Sequence, residues 1–252
     1  MPEVKSHPPG TFSWIELSSS DRVAAVDFYT KLFRWTPVDN DMGPDGIYTI
    51  VQLKGKDVGG IAQRRDDNIP SNWASYIAVA NADETTKKAE SLGATIITPP
   101  FDVMDLGRMA VLADTQGAVF CLWQPKKHTG IGIDGEAGTL CWDELTVPDN
   151  KPALKFYPQL FGWTPKETPE YVQWNLGDQG VGGMFVMEGV PPFWMPYFAV
   201  DDADASAAQV TSLGGRLFKD PTDIPNVGRF AIGSDPTGAV FAIIKLDLSS
   251  HH

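Results

Sequence analysis

Histidine, cysteine and positive charge are all scarce in this chain of 252 residues. There are 4 histidines and 2 cysteines, and 32 acidic residues outnumber 20 basic ones, which gives a net charge of −12. Two cysteines, Cys121 and Cys141, cannot build a disulfide framework, so reduced thiols are expected. The acidic balance argues against nucleic acid or an anionic membrane as a partner, because both require a cationic face.

Long apolar runs are also absent. Nothing in the sequence approaches the roughly 18 apolar residues of a membrane span, and the N-terminal segment has no apolar run of signal-peptide length. We therefore expect a cytoplasmic protein whose ligands are small molecules or proteins. The sequence leaves open whether the chain acts as a monomer or as a homodimer.

What the chain does contain is a long internal repeat. Residues 10–37 realign on residues 138–165 at an offset of 128, with 14 of 28 positions identical, and residues 100–120 realign on 221–241 at an offset of 121. A repeat of this length indicates a duplicated domain rather than a solenoid. The glycine- and lysine-rich stretch 125–138 separates the copies, so we predict domains at 8–126 and 136–248.

Each copy is predicted to consist of two βαβββ modules. In the first copy, a strand over residues 11–18 precedes a helix that begins near Asp21 and runs to about Phe33 with apolar residues at helical spacing. Strands are predicted near 48–53 and 58–63. The second module has a strand at 73–80, a helix at about 83–92 that stops at Gly93, and strands near 95–97, 108–113 and 119–123.

Two motifs recur in both copies and carry a family resemblance. The first is Asp21-x6-Phe28-Tyr29-x2-Leu32-Phe33-x-Trp35, which returns between Asp149 and Trp163; the second is Asp114-Thr115-Gln116-Gly117, which returns as Asp235-Pro236-Thr237-Gly238. The chain resembles the vicinal oxygen chelate superfamily of glyoxalases, bleomycin-resistance proteins and extradiol dioxygenases. The resemblance implies an α+β fold in which four βαβββ modules form two cup-shaped mixed sheets, with helices outside and the ligand inside.

The resemblance also says where metal ligands would be sought. The positions at which glyoxalase-like relatives place them are occupied here by Trp14, Ala74 and Cys121 in the first copy and by Trp142, Met195 and Ala242 in the second. The histidines do not compensate, because His7, His128, His251 and His252 lie outside the predicted strands. A catalytic metal needs about three protein ligands. We therefore predict no bound metal and no cofactor.

Strand alternation predicts what lines each cup instead, because side chains two residues apart face the same side. The first strands would contribute Phe12, Trp14 and Glu16, and Leu140, Trp142 and Glu144. Further predicted ligand contacts are Tyr76, Cys121, Trp123, Met195 and Tyr197. Residues of opposite parity, Ile15, Leu17, Ile77, Phe120 and Leu122, should pack beneath the helices. An aromatic cup with one carboxylate suits a flat or amphipathic organic ligand.

Glu16 and Glu144 are the candidate catalytic residues. A carboxylate beside tryptophan in a cavity poor in cations should have a raised pKa, which is how a general base is tuned toward neutral pH. The alternative is that each Glu only accepts a hydrogen bond from a tyrosine hydroxyl, a backbone amide or an arginine. Both interpretations stay open at this stage.

Four other groups of residues allow a structural role beside a functional one. Arg108 and Arg229 can clamp an anionic ligand, or can form ion pairs at the rim with Asp102 and Asp223 or with Asp114 and Asp235. Trp73 and Trp194 fall on the outward parity and are expected in the core or an interface, and Cys121 is expected to be a buried, inert thiol. The Val-Gly-Gly segments at 58–60 and 181–183 indicate a bulge or a close backbone approach rather than a phosphate loop.

Two classes of function follow. The first is metal-independent binding or sequestration of a small aromatic or hydrophobic molecule, as bleomycin-resistance-like relatives do. The second is a glyoxalase-like or hydroxylase-like enzyme that acts through Glu16 or Glu144, or with an organic cofactor.

Overall fold

The computed structural model describes residues 3–247 and contains two eight-stranded sheets. The chain forms one sheet before the segment that separates the repeats and the other sheet after it. His251, His252 and residue 248 of the predicted second domain lie outside the described residues. The first sheet comprises β1 (Phe12–Ser19), β2 (Thr36–Asp41), β3 (Ile47–Leu53), β4 (Lys56–Gln63), β5 (Asn72–Ala78), β6 (Thr95–Val103), β7 (Gly107–Ala113) and β8 (Val119–Pro125). The second comprises β9 (Leu140–Val147), β10 (Thr164–Glu167), β11 (Val172–Leu176), β12 (Gln179–Val186), β13 (Phe193–Ala199), β14 (Arg216–Ile224), β15 (Gly228–Ser234) and β16 (Val240–Leu246).

The strand order is the same in both sheets. It runs β2-β3-β4-β1-β5-β8-β7-β6 in the first and β10-β11-β12-β9-β13-β16-β15-β14 in the second. β1 pairs with β4 in parallel and with β5 in antiparallel, and β5 pairs with β8 in parallel, so each sheet is mixed. Two βαβββ modules of the same half therefore form each sheet, and the predicted α+β fold is confirmed.

Four helices connect the strands: α1 (Arg22–Phe33), α2 (Ala82–Ser91), α3 (Asn150–Phe161) and α4 (Ala203–Ser212). Each helix begins after an Asp or Asn cap, Asp21, Asn81, Asp149 or Asp202, whose side chain accepts a backbone N–H of the first turn. The predicted bounds of α1 and α2 are confirmed to within about a residue, as expected for helix ends. None of the helices in residues 3–247 is long and apolar enough to cross a membrane.

Each of the two largest apolar cores combines both halves of the chain. In one, α1 packs with Ile15 and Leu17 of its own sheet and with Phe198 and Phe241 of the other sheet. In the second, α3 packs in the same way against Ile77, Phe120 and Leu122 of the first sheet. In the core that contains α1, the rings of Phe33 and Phe198 belong to different halves, and their centroids lie 4.7 Å apart. All five residues predicted to pack beneath the helices are fully buried.

Polar contacts join the halves symmetrically. Trp194 Nε1 donates to Tyr157 Oη at 3.0 Å, and Tyr157 Oη donates to Asp114 Oδ2 of the first half at 2.9 Å. At the equivalent place in the first half, Trp73 Nε1 donates to Tyr29 Oη at 2.9 Å. Burial raises the pKa of Tyr29 well above its usual value, and the carboxylate of Asp235 in the other half adds to this shift.

The Trp35 and Trp163 indoles make a second symmetric pair of cross-half contacts, donating to the carbonyls of Gly138 and Gly10 at 2.8 and 2.7 Å. Trp73 and Trp194 are buried within these cores, which confirms the prediction for both.

Candidate functional site

The concave face of each sheet holds one glutamate at its centre. Glu16 on β1 lies between Gly60 of β4 and Ala74 of β5, and Glu144 on β9 lies between Gly183 of β12 and Met195 of β13. Each half therefore builds its own cup, so Glu16 lies beside Tyr76 and Glu144 beside Tyr197.

Tyrosine hydroxyls surround both carboxylates. Tyr197 Oη donates to Glu144 Oε1 at 2.8 Å, and Trp142 Nε1 donates to Tyr171 Oη at 2.9 Å. In the first cup, Trp14 Nε1 donates to Tyr48 Oη at 3.2 Å. Each glutamate thus has two tyrosines beside it, one of which also accepts from an indole.

Burial dominates the electrostatics of these groups. It raises the pKa of Glu16, and hydrogen bonding by Tyr48 and Tyr76 opposes the shift. Burial likewise raises the pKa of Glu144 against the opposing effect of Tyr197 and Tyr171. The pKa values of all four tyrosines are raised by burial and by the nearby carboxylates, so the hydroxyls stay protonated as donors.

The structure brings most of the predicted cup residues together. Trp14, Tyr76, Cys121 and Trp123 form one buried cluster on the concave face of the first sheet. Met195 and Tyr197 form the corresponding cluster of the second sheet, and Trp142 packs against it. These seven side chains therefore lie on the face of the sheet that strand alternation predicted.

The structure places Arg108 and Arg229 outside the cups, which corrects their predicted role as ligand contacts and confirms the alternative of ion pairs with Asp102 and Asp223. Arg108 pairs with Gln124 across β7 and β8, beside Ala110 with Leu122, so it lies on the helix side of the sheet. Its guanidinium donates to both carboxylate oxygens of Asp83, at 2.7 and 2.8 Å, and to Asp102 at 3.3 Å. Arg229 repeats this geometry with Asp204 and Asp223. Both arginines tie a helix start to a strand hairpin instead of lining a cup.

The first residue of each cup strand was also assigned to the wrong face. The pairing of β1 with β5 shifts register between Phe12 and Trp14, which reverses the alternation, and the equivalent shift occurs near Leu140. Phe12 therefore packs against Trp163 and Trp194, with ring centroids 5.9 and 5.1 Å away. Leu140 pairs with outward-facing Phe198 and packs against the core that contains α1.

The sequence analysis did not identify Tyr48 and Tyr171 as cup residues, although the repeat relates them to each other. They stand at an offset of 123, the same offset that relates Gly60 to Gly183. A Cβ at either glycine would overlap the tyrosine hydroxyl, so the glycine and the tyrosine form a pair. Of the two alternatives predicted for the Val-Gly-Gly segments, a bulge or a close approach to the backbone, the second is confirmed: a tyrosine side chain approaches Gly60 and Gly183.

A histidine also reaches the first cup, by a route that strand patterns do not reveal. His128 belongs to the segment between the domains, and its ring lies edge-on to Trp14 with centroids 4.6 Å apart. Trp123 Nε1 donates to the backbone carbonyl of His128 at 3.0 Å. His128 Nε2 lies 3.6 Å from Asp57 Oδ2, and its proximity lowers the pKa of that carboxyl.

The residues present do not fit the metal that the fold family implies. No group of three or more His, Cys, Asp or Glu side chains that could hold a metal ion is found among residues 3–247. The six positions at which metal ligands would be sought hold two indoles, two alanines, a methionine and a thiol. Burial raises the pKa of the Cys121 thiol strongly, which disfavours the thiolate that binds metals, and also raises that of Cys141 to about 12.

Relatives of known description match this chain over almost its whole length. It is 40% identical to CFP32 of Mycobacterium bovis, named as a candidate glyoxylase, over 97% of this chain and 98% of that protein. It is 36% identical to the anthracycline biosynthesis protein DnrV of Streptomyces peucetius over 94% of each chain. The solved Mn(II)-bound glyoxalase of Novosphingobium aromaticivorans is similar in fold, with a TM-score of 0.69 at 13% identity over 97% of this chain and 86% of that one.

The family model described as a glyoxalase-like domain matches residues 14–123, which span the first sheet from Trp14 to Trp123. The second sheet repeats the same strand order. The chain is therefore a tandem, two-domain member of the glyoxalase-like proteins of the vicinal oxygen chelate superfamily.

Proposed function

We propose that this protein binds or sequesters a small aromatic or hydrophobic molecule in a glyoxalase-like cup without a metal ion. The observation that carries the proposal is the replacement of metal-binding side chains by an aromatic wall around one buried carboxylate. A planar ligand can stack on such walls, and buried aromatic surface is the main source of affinity in small-molecule sites.

The glutamate and the tyrosines beside it would orient the bound ligand. Glu144 accepts from Tyr197 through one oxygen, and a carboxylate has acceptor capacity for further donors. A ligand hydroxyl can therefore donate to the carboxylate, while a ligand carbonyl can accept from a tyrosine. The name of the relative from S. peucetius supports a ligand of this type, because anthracyclines are planar, hydroxylated aromatic compounds.

A second candidate function is favoured by one observation, the raised pKa of Glu16 and Glu144. Such a carboxylate is tuned toward the role of general base, which takes a proton from a bound substrate. The description of the mycobacterial relative as a candidate glyoxylase points the same way. In this alternative the aromatic walls position the substrate and the glutamate removes its proton.

Replacement of glutamate by glutamine separates the two functions. Glutamine keeps the shape of the side chain but cannot take the proton. For a binding protein, we expect Glu144→Gln to weaken binding of a dihydroxyanthraquinone by about 1–3 kcal/mol in titration calorimetry. For an enzyme, turnover in a glyoxalase assay should fall by about 100-fold or more while affinity stays unchanged.

The metal content of the purified protein is a second test. We expect elemental analysis after gel filtration to find no stoichiometric zinc, nickel, manganese or iron, because residues 3–247 offer no ligand set of about three suitable side chains. One equivalent of any of these metals per half would contradict the proposal.

A further inference from the structure

The two cups differ in what covers them. The cluster of the first cup includes a residue from outside the strands, Ile131, which is 4% exposed and packs with Trp14, Tyr76, Cys121 and Trp123. His128 of the same segment covers Trp14 and Trp123, with ring centroids 4.6 and 5.9 Å away. Segment 126–138, the linker, thus places two side chains where a ligand of the first cup would lie.

Several hydrogen bonds hold the linker in this position. Ile131 N donates to Ser13 O of β1 and Gly132 N donates to Asp57 O of β4, both at 2.8 Å. His7 Nε2 lies 2.9 Å from Ile131 O on the other side. A Cβ at Gly130 would overlap the carbonyl of Ser13, and the φ of +113° at this residue also favours glycine. The linker is therefore fitted to the first cup.

No residue of the linker belongs to the apolar cluster of the second cup. In the described part of the chain, the members of this cluster lie on β9 and β13–β16. Trp142 is partly exposed, whereas its counterpart in the first cup, Trp14, is 5% exposed. The concave face of the second sheet thus presents its indole to a ligand.

A row of side chains crosses the second cup from its floor to its rim. It begins with Glu144 and Tyr197, continues to Phe230, whose ring stacks on Tyr197 with centroids 6.3 Å apart, and ends at Lys219. The ammonium of the exposed Lys219 lies 5.6 Å from the centroid of Phe230. Register places Lys219 opposite Ile232 and Phe230 opposite Ile244, on the concave side.

The first cup does not repeat the outer part of this row. At the repeat offset of 121, the counterparts of Phe230 and Lys219 are Met109 and Thr98. Met109 packs against the cluster that the linker covers. An aromatic surface and a cation at the rim are therefore features of the second cup.

We propose that ligand binding is confined to the second cup, where the row from Glu144 to Lys219 takes an aromatic molecule with a hydroxyl at one end and an acidic group at the other. The linker fills the first cup, which serves as a structural support. The hydroxyl donates to Glu144, the rings lie against Trp142 and Phe230, and the acidic group pairs with Lys219. This inference rests on the proposed function.

Calorimetry and native mass spectrometry of the full chain test it with two probes, a dihydroxyanthraquinone and its monocarboxylic acid. We expect one equivalent of each probe per chain. Phe230→Ala should weaken both probes by at least about fivefold, and the matched Met109→Ala should leave them unchanged. The acid should bind about threefold more tightly, a preference that Lys219→Thr removes and Thr98→Ala keeps.

The outcomes separate this inference from the proposed function. Two equivalents per chain, or equal weakening by Met109→Ala and Phe230→Ala, would overturn the confinement to the second cup while leaving aromatic binding in place. Equal affinity for the two probes would overturn the role of Lys219. Failure of the wild-type protein to bind either probe would refute the proposed function and, with it, the inference. Circular dichroism checks that Phe230→Ala folds; Lys219→Thr changes an exposed side chain.

Discussion

Two glycines create the space in which the cup tyrosines approach the sheet. Gly60 pairs with Glu16 across β4 and β1, and Gly183 pairs with Glu144 across β12 and β9. The hydroxyls of Tyr48 and Tyr171 occupy the volume that a Cβ would need at these positions. A residue without a side chain is therefore part of the candidate site, because it allows a tyrosine to reach the carboxylate.

Alanine at these glycines tests this argument. We expect Gly60→Ala and Gly183→Ala each to lower the free energy of unfolding by about 1–3 kcal/mol, because the tyrosine ring must move away from a packed position. Urea unfolding followed by circular dichroism measures the change. Gly132→Ala is the control, since a Cβ there makes only ordinary contacts, and it should change stability by less than about 0.5 kcal/mol. Equal losses in all three variants would contradict the proposed crowding.

At the scale of secondary-structure elements, the sequence predicted helices better than it predicted the edge strands of the sheets. The Asp21 cap and the apolar stripe are local signals that placed α1 correctly, and the stop at Gly93 placed the end of α2. β2 was not predicted because its sequence, TPVDND, is polar and carries a proline, which an exposed edge strand tolerates. The concave face was predicted from β1, β5 and β8, while Tyr48 and His128 were missed because the register of β3 and the path of the linker are set by tertiary contacts.

The motifs that carried the family resemblance also join elements of different halves. Tyr157 belongs to the repeated helix motif and Asp114 to the repeated turn motif, and they meet by a buried hydrogen bond. Asp114 Oδ1 at the same time accepts the backbone N–H of Gln116 and Ala118, which closes the turn. The turn before β8 is thereby fixed to α3.

We expect Tyr157→Phe to reduce the free energy of unfolding by about 1–3 kcal/mol, because it leaves Asp114 Oδ2 and Trp194 Nε1 without their buried partner. A double-mutant cycle with Asp114→Asn, measured by chemical denaturation, should give a coupling energy of about 1 kcal/mol or more. Additive losses would indicate that the two residues act independently.

At the scale of the whole molecule, the halves meet through a buried acid. Asp143 on β9 is 1% exposed, and Ser75 Oγ of β5 donates to its Oδ1. Its other oxygen has no hydrogen-bond partner in residues 3–247. Burial raises the pKa of Asp143 to about 7, against the smaller opposing effect of Ser75. The repeat places Ile15 at the equivalent position, so the acid is confined to one side of the interface.

This pKa predicts that the protein is less stable at alkaline pH. The folded state binds a proton at Asp143 more tightly than the unfolded chain does. The favourable contribution is therefore complete below about pH 4 and is lost as the pH rises through about 7. We expect Asp143→Asn to flatten this part of the profile and to raise stability at pH 8 by at least about 1 kcal/mol. Exposed Asp178→Asn should leave the profile unchanged, and an unchanged profile in Asp143→Asn would contradict the assignment.

Each of the two large cores contains residues of both halves, and this has an evolutionary consequence. A half-length chain with this fold would leave the apolar sides of α1 and of its sheet uncovered unless a second copy met it about a two-fold axis. The architecture is thus that of a homodimer whose subunits have been fused. In a homodimer, every substitution appears in both cups at once. A fused chain removes that constraint, so the two cups can diverge: Ile131 of the linker packs into the first cup, whereas the second keeps a partly exposed indole, that of Trp142.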